Sequence, residues 1–534
     1  MKKIFFLAFS IFFGSALIAQ TEYDALRISQ SDIVGSARYM SMGGAFGALG
    51  GDASALKDNP AGLGVYRSGE ISTTLNAMFQ NSNSTWYNDK NSANSGLGVK
   101  FNNASYIMSI PLYQEKSSGL LQSNFSFGFN RVKNFNRVMR ANGVTTSSFT
   151  DFVSDFTNQN KNGIEEADLK YVENTYEPYD VQFIPWMAIL AYDGHLMNPD
   201  GATTPPKWSS AFKGQAKSTA TMIETGGISE YSFGWGGNFN NNLFVGANLN
   251  IADLYYSLDT WLNEDFGSSS GDFTLKNRFN QTGMGVNLKL GAIYLPTNSL
   301  RLGLAFHTPT AFAITSTGYA EVDYNNVEAG KNGTAKTPES GSRQNFNINT
   351  PLQTQLSAAY LFGRKGLISI EYDFIHYTGN RFKERDGDNS NVNDPFEPEN
   401  VGVIVDGKLV GGMKQVLSDG HVIKVGGEYK PTENVSLRAG YAMFTGGTNP
   451  KYTDGKLMRL NTTSTNPEYF EQKGANYFSL GLGYREATWF VDLAYALKMN
   501  NENYYPFQWN RTDLQPADIK TNTNNIVLTL GFKI

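Results

Sequence analysis

The chain has no cysteine in 534 residues, only four histidines, and, beyond its first residues, no uninterrupted apolar run of the about 20 residues that a membrane helix needs. Each absence excludes something. Without cysteine there is no disulfide, no thiol nucleophile, no thiolate zinc site and no lipoprotein acylation site. His195, His307, His376 and His421 are too few and too scattered to suggest a metal centre. No Walker phosphate loop, Gly-x-Gly-x-x-Gly or His-Glu-x-x-His motif occurs. The one Gly-x-Ser-x-Gly match, at 267–271, lies in a polar serine-rich stretch without the strand-turn-helix of a nucleophile elbow, so Ser269 reads as a loop residue. No cofactor and no enzyme activity are expected. Net charge is only −5 and evenly spread, which leaves no basic footprint for nucleic acid. The lack of apolar helices does not exclude a membrane, because barrel strands alternate and their hydropathy averages out; a mean hydropathy of −0.36 is compatible with that.

What is present begins with Lys2 and Lys3, a mostly apolar run to Ile18, and then Ala19, the layout of a secretory signal with cleavage expected after residue 19. From residue 69 onward the sequence alternates with period two. At the C-terminus Ile526, Leu528, Leu530, Phe532 and Ile534 alternate with Asn525, Thr529, Gly531 and Lys533, with Val527 the one exception. Fourteen such segments are predicted, near 69–81, 101–112, 119–133, 228–239, 243–255, 283–295, 300–308, 351–362, 367–377, 421–429, 435–444, 476–485, 489–497 and 524–534. Short turns at 240–242, 296–298, 363–366, 430–434 and 486–488 alternate with long polar connections at 136–227, 257–282, 311–350, 378–420, 445–475 and 498–523. That asymmetry marks an all-β transmembrane antiparallel β-barrel with short periplasmic turns and long extracellular loops. In hydrocarbon an open sheet edge leaves unpaired backbone groups, so the sheet has to close. A cylinder of about fourteen strands is too wide to be filled by its own side chains and calls for a plug.

The stretch 37–63 supplies one. It holds Gly43, Gly44, Gly47, Gly50, Gly51 and Gly62 among small residues and ends in a turn at Asn59, Pro60 and Ala61. Glycine weakens both helix and strand, so this segment should pack tightly rather than extend. Its pattern, Ala-Arg-Tyr-Met-Ser-Met-Gly-Gly-Ala leading into Asn-Pro-Ala-Gly-Leu, resembles the N-terminal hatch of the FadL/TodX family of outer-membrane transporters for long-chain fatty acids and other hydrophobic compounds. The resemblance implies a signal peptide at 1–19, a hatch at 20–68 and a barrel at 69–534 carrying an extracellular insertion at 136–227. It also implies passive uptake in the outer membrane of a Gram-negative bacterium, with capture by the extracellular loops, transfer to an apolar pocket and release by a hatch movement. Fatty acids or other hydrophobic small molecules and the outer-membrane lipid are the expected partners. A docking role in a secretion or surface-assembly system, with a protein partner, and a haem-binding receptor are the alternatives.

Three groups of candidate residues follow. Arg38, Gly43, Gly44, Asp52, Asn59, Pro60 and Ala61 form the expected hatch and gate. Lys289, Glu371, Asp373, Lys424, Glu428, Arg438 and Asp492 occupy the polar face of their strands and are expected in the lumen, pairing with one another or with Arg38 or Asp52. Within the long connection, Phe149, Phe152 and Phe156 have helical spacing. Phe183, Ile184, Trp186, Met187, Ile189 and Leu190 are apolar where an extracellular loop should be polar, and are expected to form either a hydrophobic groove for ligand or a self-packed cap. Family members place comparable loop helices after a later strand pair. Asp386, Asp388, Ser390 and Glu397 follow a calcium-loop spacing, but Asn391 stands where glycine belongs, so they read as a solvated acidic loop with no metal.

Overall fold

Alternation of this kind gives every strand one face for lipid and one for the lumen, and the computed structural model closes the strands on that basis. It describes residues 22–112, 118–160, 163–181, 184–384, 403–405, 408–410, 413–449, 463–507 and 514–534. The barrel strands are β1 (Glu70–Trp86), β2 (Gly98–Pro111), β3 (Leu120–Asn134), β4 (Ala216–Phe239), β5 (Leu243–Asp265), β6 (Gly271–Tyr294) and β7 (Leu300–His307). They continue as β8 (Gln353–Leu361), β9 (Gly366–Ile375), β10 (Gly420–Tyr429), β11 (Val435–Thr445), β12 (Tyr469–Arg485), β13 (Trp489–Tyr505) and β14 (Ala517–Lys533). Each pairs antiparallel with the next, and β1 pairs with β14 from Glu70 opposite Lys533 to Thr85 opposite Asp518. The result is a closed fourteen-stranded barrel, as the alternation predicts.

The outer surface carries the apolar set. Leu75, Phe127, Leu249, Leu304, Ile370, Leu480 and Leu528 are all exposed, while Asn76, Asn525 and Thr529 on the opposite face are buried. Exposure of this much apolar side chain in a continuous belt is stable only against lipid. Tyr294, Tyr360, Phe362, Tyr429, Tyr484 and Trp489 add exposed aromatic rings at the short-turn end, where an interfacial girdle belongs. Val527 breaks the alternation for a reason: it points inward and is buried in one apolar cluster with Ala37, Tyr39 and Met40 of the N-terminal segment.

The connections expected to be long polar loops are in good part sheet. β4, β5 and β6 run 24, 23 and 24 residues, well past the about 9–11 that cross a bilayer. Ala311–Asn326 pairs along β6, and Arg137–Thr145 along β4. Outside the lipid the outer face turns polar and the amphipathic signal fades, although the ladder bonds continue. The insertion at 136–227 also holds α3 (Phe149–Asn158), whose N-terminus carries a capping box from Ser148 and Asp151, and α4 (Trp186–Asp193). These helices and the strand extensions enclose the largest apolar core, which forms a cap at the long-loop end.

Residues 22–66 lie inside the barrel. α1 (Glu22–Ser29) sits nearest the cap; α2 (Ala37–Ser41) and two 3₁₀ turns, Ala53–Lys57 and Pro60–Val65, fill the lumen below it. The acidic stretch at 386–397 lies outside the described residues.

Candidate functional site

Small residues let the N-terminal segment approach the wall at backbone distance. Lumen-facing Gly246, Gly291, Gly303, Gly426, Gly440 and Gly481 come from six different strands, and each meets the segment so closely that a Cβ there would overlap it. Gly43 and Gly44 adopt positive φ, +62° and +75°, which glycine alone tolerates cheaply. Asn59 Oδ1 accepts from the Ala61 N–H, and Asn59 Nδ2 donates to Gly47 O at 2.6 Å within the segment and to Ala292 O of β6 at 3.3 Å, which ties the turn at Pro60 to the wall.

Every charged residue expected in the lumen is there and nearly devoid of solvent. Lys424 donates to Glu371 at 2.6 Å and Asp373 at 2.8 Å; Arg438 bridges Glu428 at 2.6 Å and Asp492 at 2.5 Å; Lys289 pairs with Glu230 at 2.7 Å. Two of these sets reach the segment: Arg38 meets Glu428 at 3.2 Å, and the Gly47 N–H donates to Glu371 at 2.6 Å. Asp52 stays within its own segment, accepting from Ser36 Oγ and the Ser54 N–H.

The apolar run in the insertion does not line a groove. Ile184, Trp186, Met187, Ile189 and Leu190 are all buried in the core of the cap, so the self-packed reading describes them. A helix that is apolar on every side has no face to offer solvent. Phe183 lies outside the described residues. The histidines do not converge either. His307 is buried against Asp58 O, His195 packs on Tyr324, and His376 and His421 flank Phe374 at the barrel rim.

A cavity of about 260 Å³ does exist, between α1 and the wall. Tyr256, Phe279, Tyr377, Phe444, Phe470 and Leu26 give it apolar surface. A smaller space of about 100 Å³ lies below it, and Gln30, Ser31 and Asp32 line both.

The cavity touches the end of β3, at Lys133 and Asn134, where that strand has parted from β2. β2 and β3 pair from Pro111 opposite Gln122 to Asn103 opposite Asn130, and there the ladder stops, although β2 runs back to Gly98 and β3 on to Asn134. Asn102 is the extra residue of a bulge against β1, between Asn103 opposite Thr74 and Phe101 opposite Leu75. Its side chain turns inward and donates to Gly35 O at 3.3 Å. Asp32 completes the freed edge of β3: its N–H donates to Val132 O at 2.9 Å, and its carboxylate accepts from the Asn134 N–H at 3.2 Å. The same carboxylate accepts from Lys498 at 2.5 Å and Tyr477 at 3.1 Å. The period-two pattern gave no notice of Asp32; the consecutive pair Asn102 and Asn103, two polar residues where one should face lipid, is the only trace of the bulge in the sequence.

The sequence matches no protein-family model and no curated protein. Among solved structures, the chain is similar to the monoaromatic hydrocarbon channel TodX in its deltaS2 mutant form, with a TM-score of 0.52 at 13% identity over 94% of this chain and 100% of that one. The deltaS2S3 mutant of the same channel gives a TM-score of 0.50 at 14% identity, over 94% and 100%. The toluene transporter TodX of Pseudomonas putida gives 0.48 at 13% identity, over 94% and 99%. On the first two of these matches the chain has the fold of the TodX hydrocarbon channels.

Proposed function

We propose that this protein is an outer-membrane channel for passive uptake of hydrophobic compounds, the class that long-chain fatty acids represent. Residues 1–19 serve as its signal, 20–68 as its hatch and 69–534 as its barrel, with the insertion at 136–227 in an extracellular cap. A compound enters from the long-loop side, binds in the cavity beside α1 and leaves sideways between β2 and β3. The observation that carries this reading is the split itself, an interrupted ladder at the cavity wall that residues 32–35 of the hatch close. An unpaired edge in a bilayer costs several kcal/mol, so a hatch segment that satisfies it is a shutter that can be withdrawn only when something else occupies the site.

The glycine contacts and ion pairs that hold Arg38, Gly43, Asn59, Pro60 and Ala61 make the lower hatch an anchor, and gating falls to residues 32–35 above it. Binding needs little directed chemistry, since burying an alkyl chain contributes ~0.8 kcal/mol per CH₂. Native mass spectrometry of the purified protein should show a bound hydrophobic molecule, and proteoliposomes should take up an added one faster than empty vesicles. Protein that is empty and passes nothing would overturn the proposal.

A further inference from the structure

One side of the cavity has polar groups that this route does not use. On β6, Asn277, Phe279 and Gln281 share one face by the period of two. Asn277 is 5% exposed and lines the cavity, yet neither Oδ1 nor Nδ2 of its amide meets a hydrogen-bond partner among the described residues. Gln281 accepts from Arg27 at 2.9 Å through Oε1, while its Nε2 is likewise unpartnered. A buried amide left in this state costs about 1–3 kcal/mol, so its retention points to a bound molecule that completes it. Beside it Phe279 stands opposite Gly318, which in turn stands opposite Ser342, so the surface next to the ring is low and open.

Most of the charged groups around the cavity are already engaged, with Arg27 Nε and Glu468 Oε2 buried and without a partner among the described residues. Five basic and five acidic side chains line it, so their formal charges cancel. Arg27 pairs with Asp24 at 2.6 Å, Arg137 with Glu224 and Glu502, and Lys498 with Asp32. Lys133 donates to Arg27 O and Gln30 Oε1. A carboxylate arriving here would add an anion to cations whose formal charge is already matched, whereas a hydroxyl or amide finds both polar atoms of the Asn277 amide ready.

Building on the channel reading, we infer that the cavity selects amphiphiles with a neutral hydrogen-bonding head group, an alcohol, phenol or amide, over carboxylates. Asn277 meets the head group and Phe279 the adjoining apolar body. Toluene, benzyl alcohol and benzoate present one ring with no head, a neutral head and an anionic head. Titrated by ligand-observed NMR against the full chain in lipid nanodiscs, with empty nanodiscs subtracted, benzyl alcohol should bind more tightly than benzoate. Asn277→Leu should weaken benzyl alcohol about fivefold, the worth of roughly one neutral hydrogen bond, and leave toluene unchanged. Benzoate binding as tightly as benzyl alcohol to the wild type would overturn the inference without needing any variant, and so would an equal loss of all three probes in a folded Asn277→Leu protein. In both cases the channel reading stands. If no probe binds the wild type, the inference falls, and the proteoliposome uptake of a long-chain compound decides the channel reading separately.

Discussion

Arg438 lies between the carboxylates of Glu428 and Asp492, all three almost without solvent, and Arg38 of the hatch shares Glu428. Removing the cation leaves two buried carboxylates with reduced compensation. Arg438→Met should cost ~3–5 kcal/mol, read as a lower urea midpoint of barrel unfolding; an unchanged midpoint would show that the network contributes nothing. Gly440 tests the anchor in a different way. A side chain there would overlap the backbone of Met42 and Gly43, so Gly440→Val should destabilise by ~1–3 kcal/mol through overpacking and loosen the hatch, which limited proteolysis of residues 37–63 would detect. In the cap, burial and the nearby Glu177 push the Asp193 carboxyl up to about 6. The folded form then holds a proton that the unfolded chain has released, so the contribution of Asp193 to stability falls as pH rises from about 4 through 6. Hydrogen exchange in α4, corrected for intrinsic rate, should show more protection at pH 5 than at pH 7, and Asp193→Asn should flatten the difference.

Among the elements, the barrel strands were legible because lipid on one side and a polar lumen on the other impose the same period on each of them. Val527 is an exception that the hatch explains, since it is buried in one apolar cluster with Tyr39 and Met40. The lumen charges were legible for the same reason: a charged residue on the polar face of a membrane strand has nowhere else to go. The strand extensions were not, because outside the bilayer the outer face no longer has to be apolar. Nor was the fate of the run at 184–190, since an apolar sequence states that burial is needed without saying what buries it. Asp32 was invisible for a further reason: its role depends on an edge of β3 a hundred or more residues away. Asp32→Ala removes the acceptor for Lys498, Tyr477 and the Asn134 N–H and should loosen the shutter. Proteoliposome uptake of a hydrophobic compound should then run faster than in the wild type; unaltered uptake would mean that residues 32–35 do not gate.

The whole molecule separates two routes that an open pore would merge. The lumen is filled by residues 22–66 and locked by buried ion pairs, so the intact protein in a planar bilayer should show no large porin-like ion steps while still passing hydrophobic compounds. The path that remains is lateral, and because the chain has no native cysteine it can be closed and reopened in one protein. Residues 32 and 132 are joined by a backbone hydrogen bond of 2.9 Å, a spacing of chains that a disulfide can bridge. Uptake of a hydrophobic compound by proteoliposomes carrying the double variant D32C/V132C, measured oxidised and then reduced, tests the lateral route directly. The account predicts that the oxidised protein passes nothing and that reduction restores uptake to at least the wild-type rate. Equal uptake in the two states would contradict it.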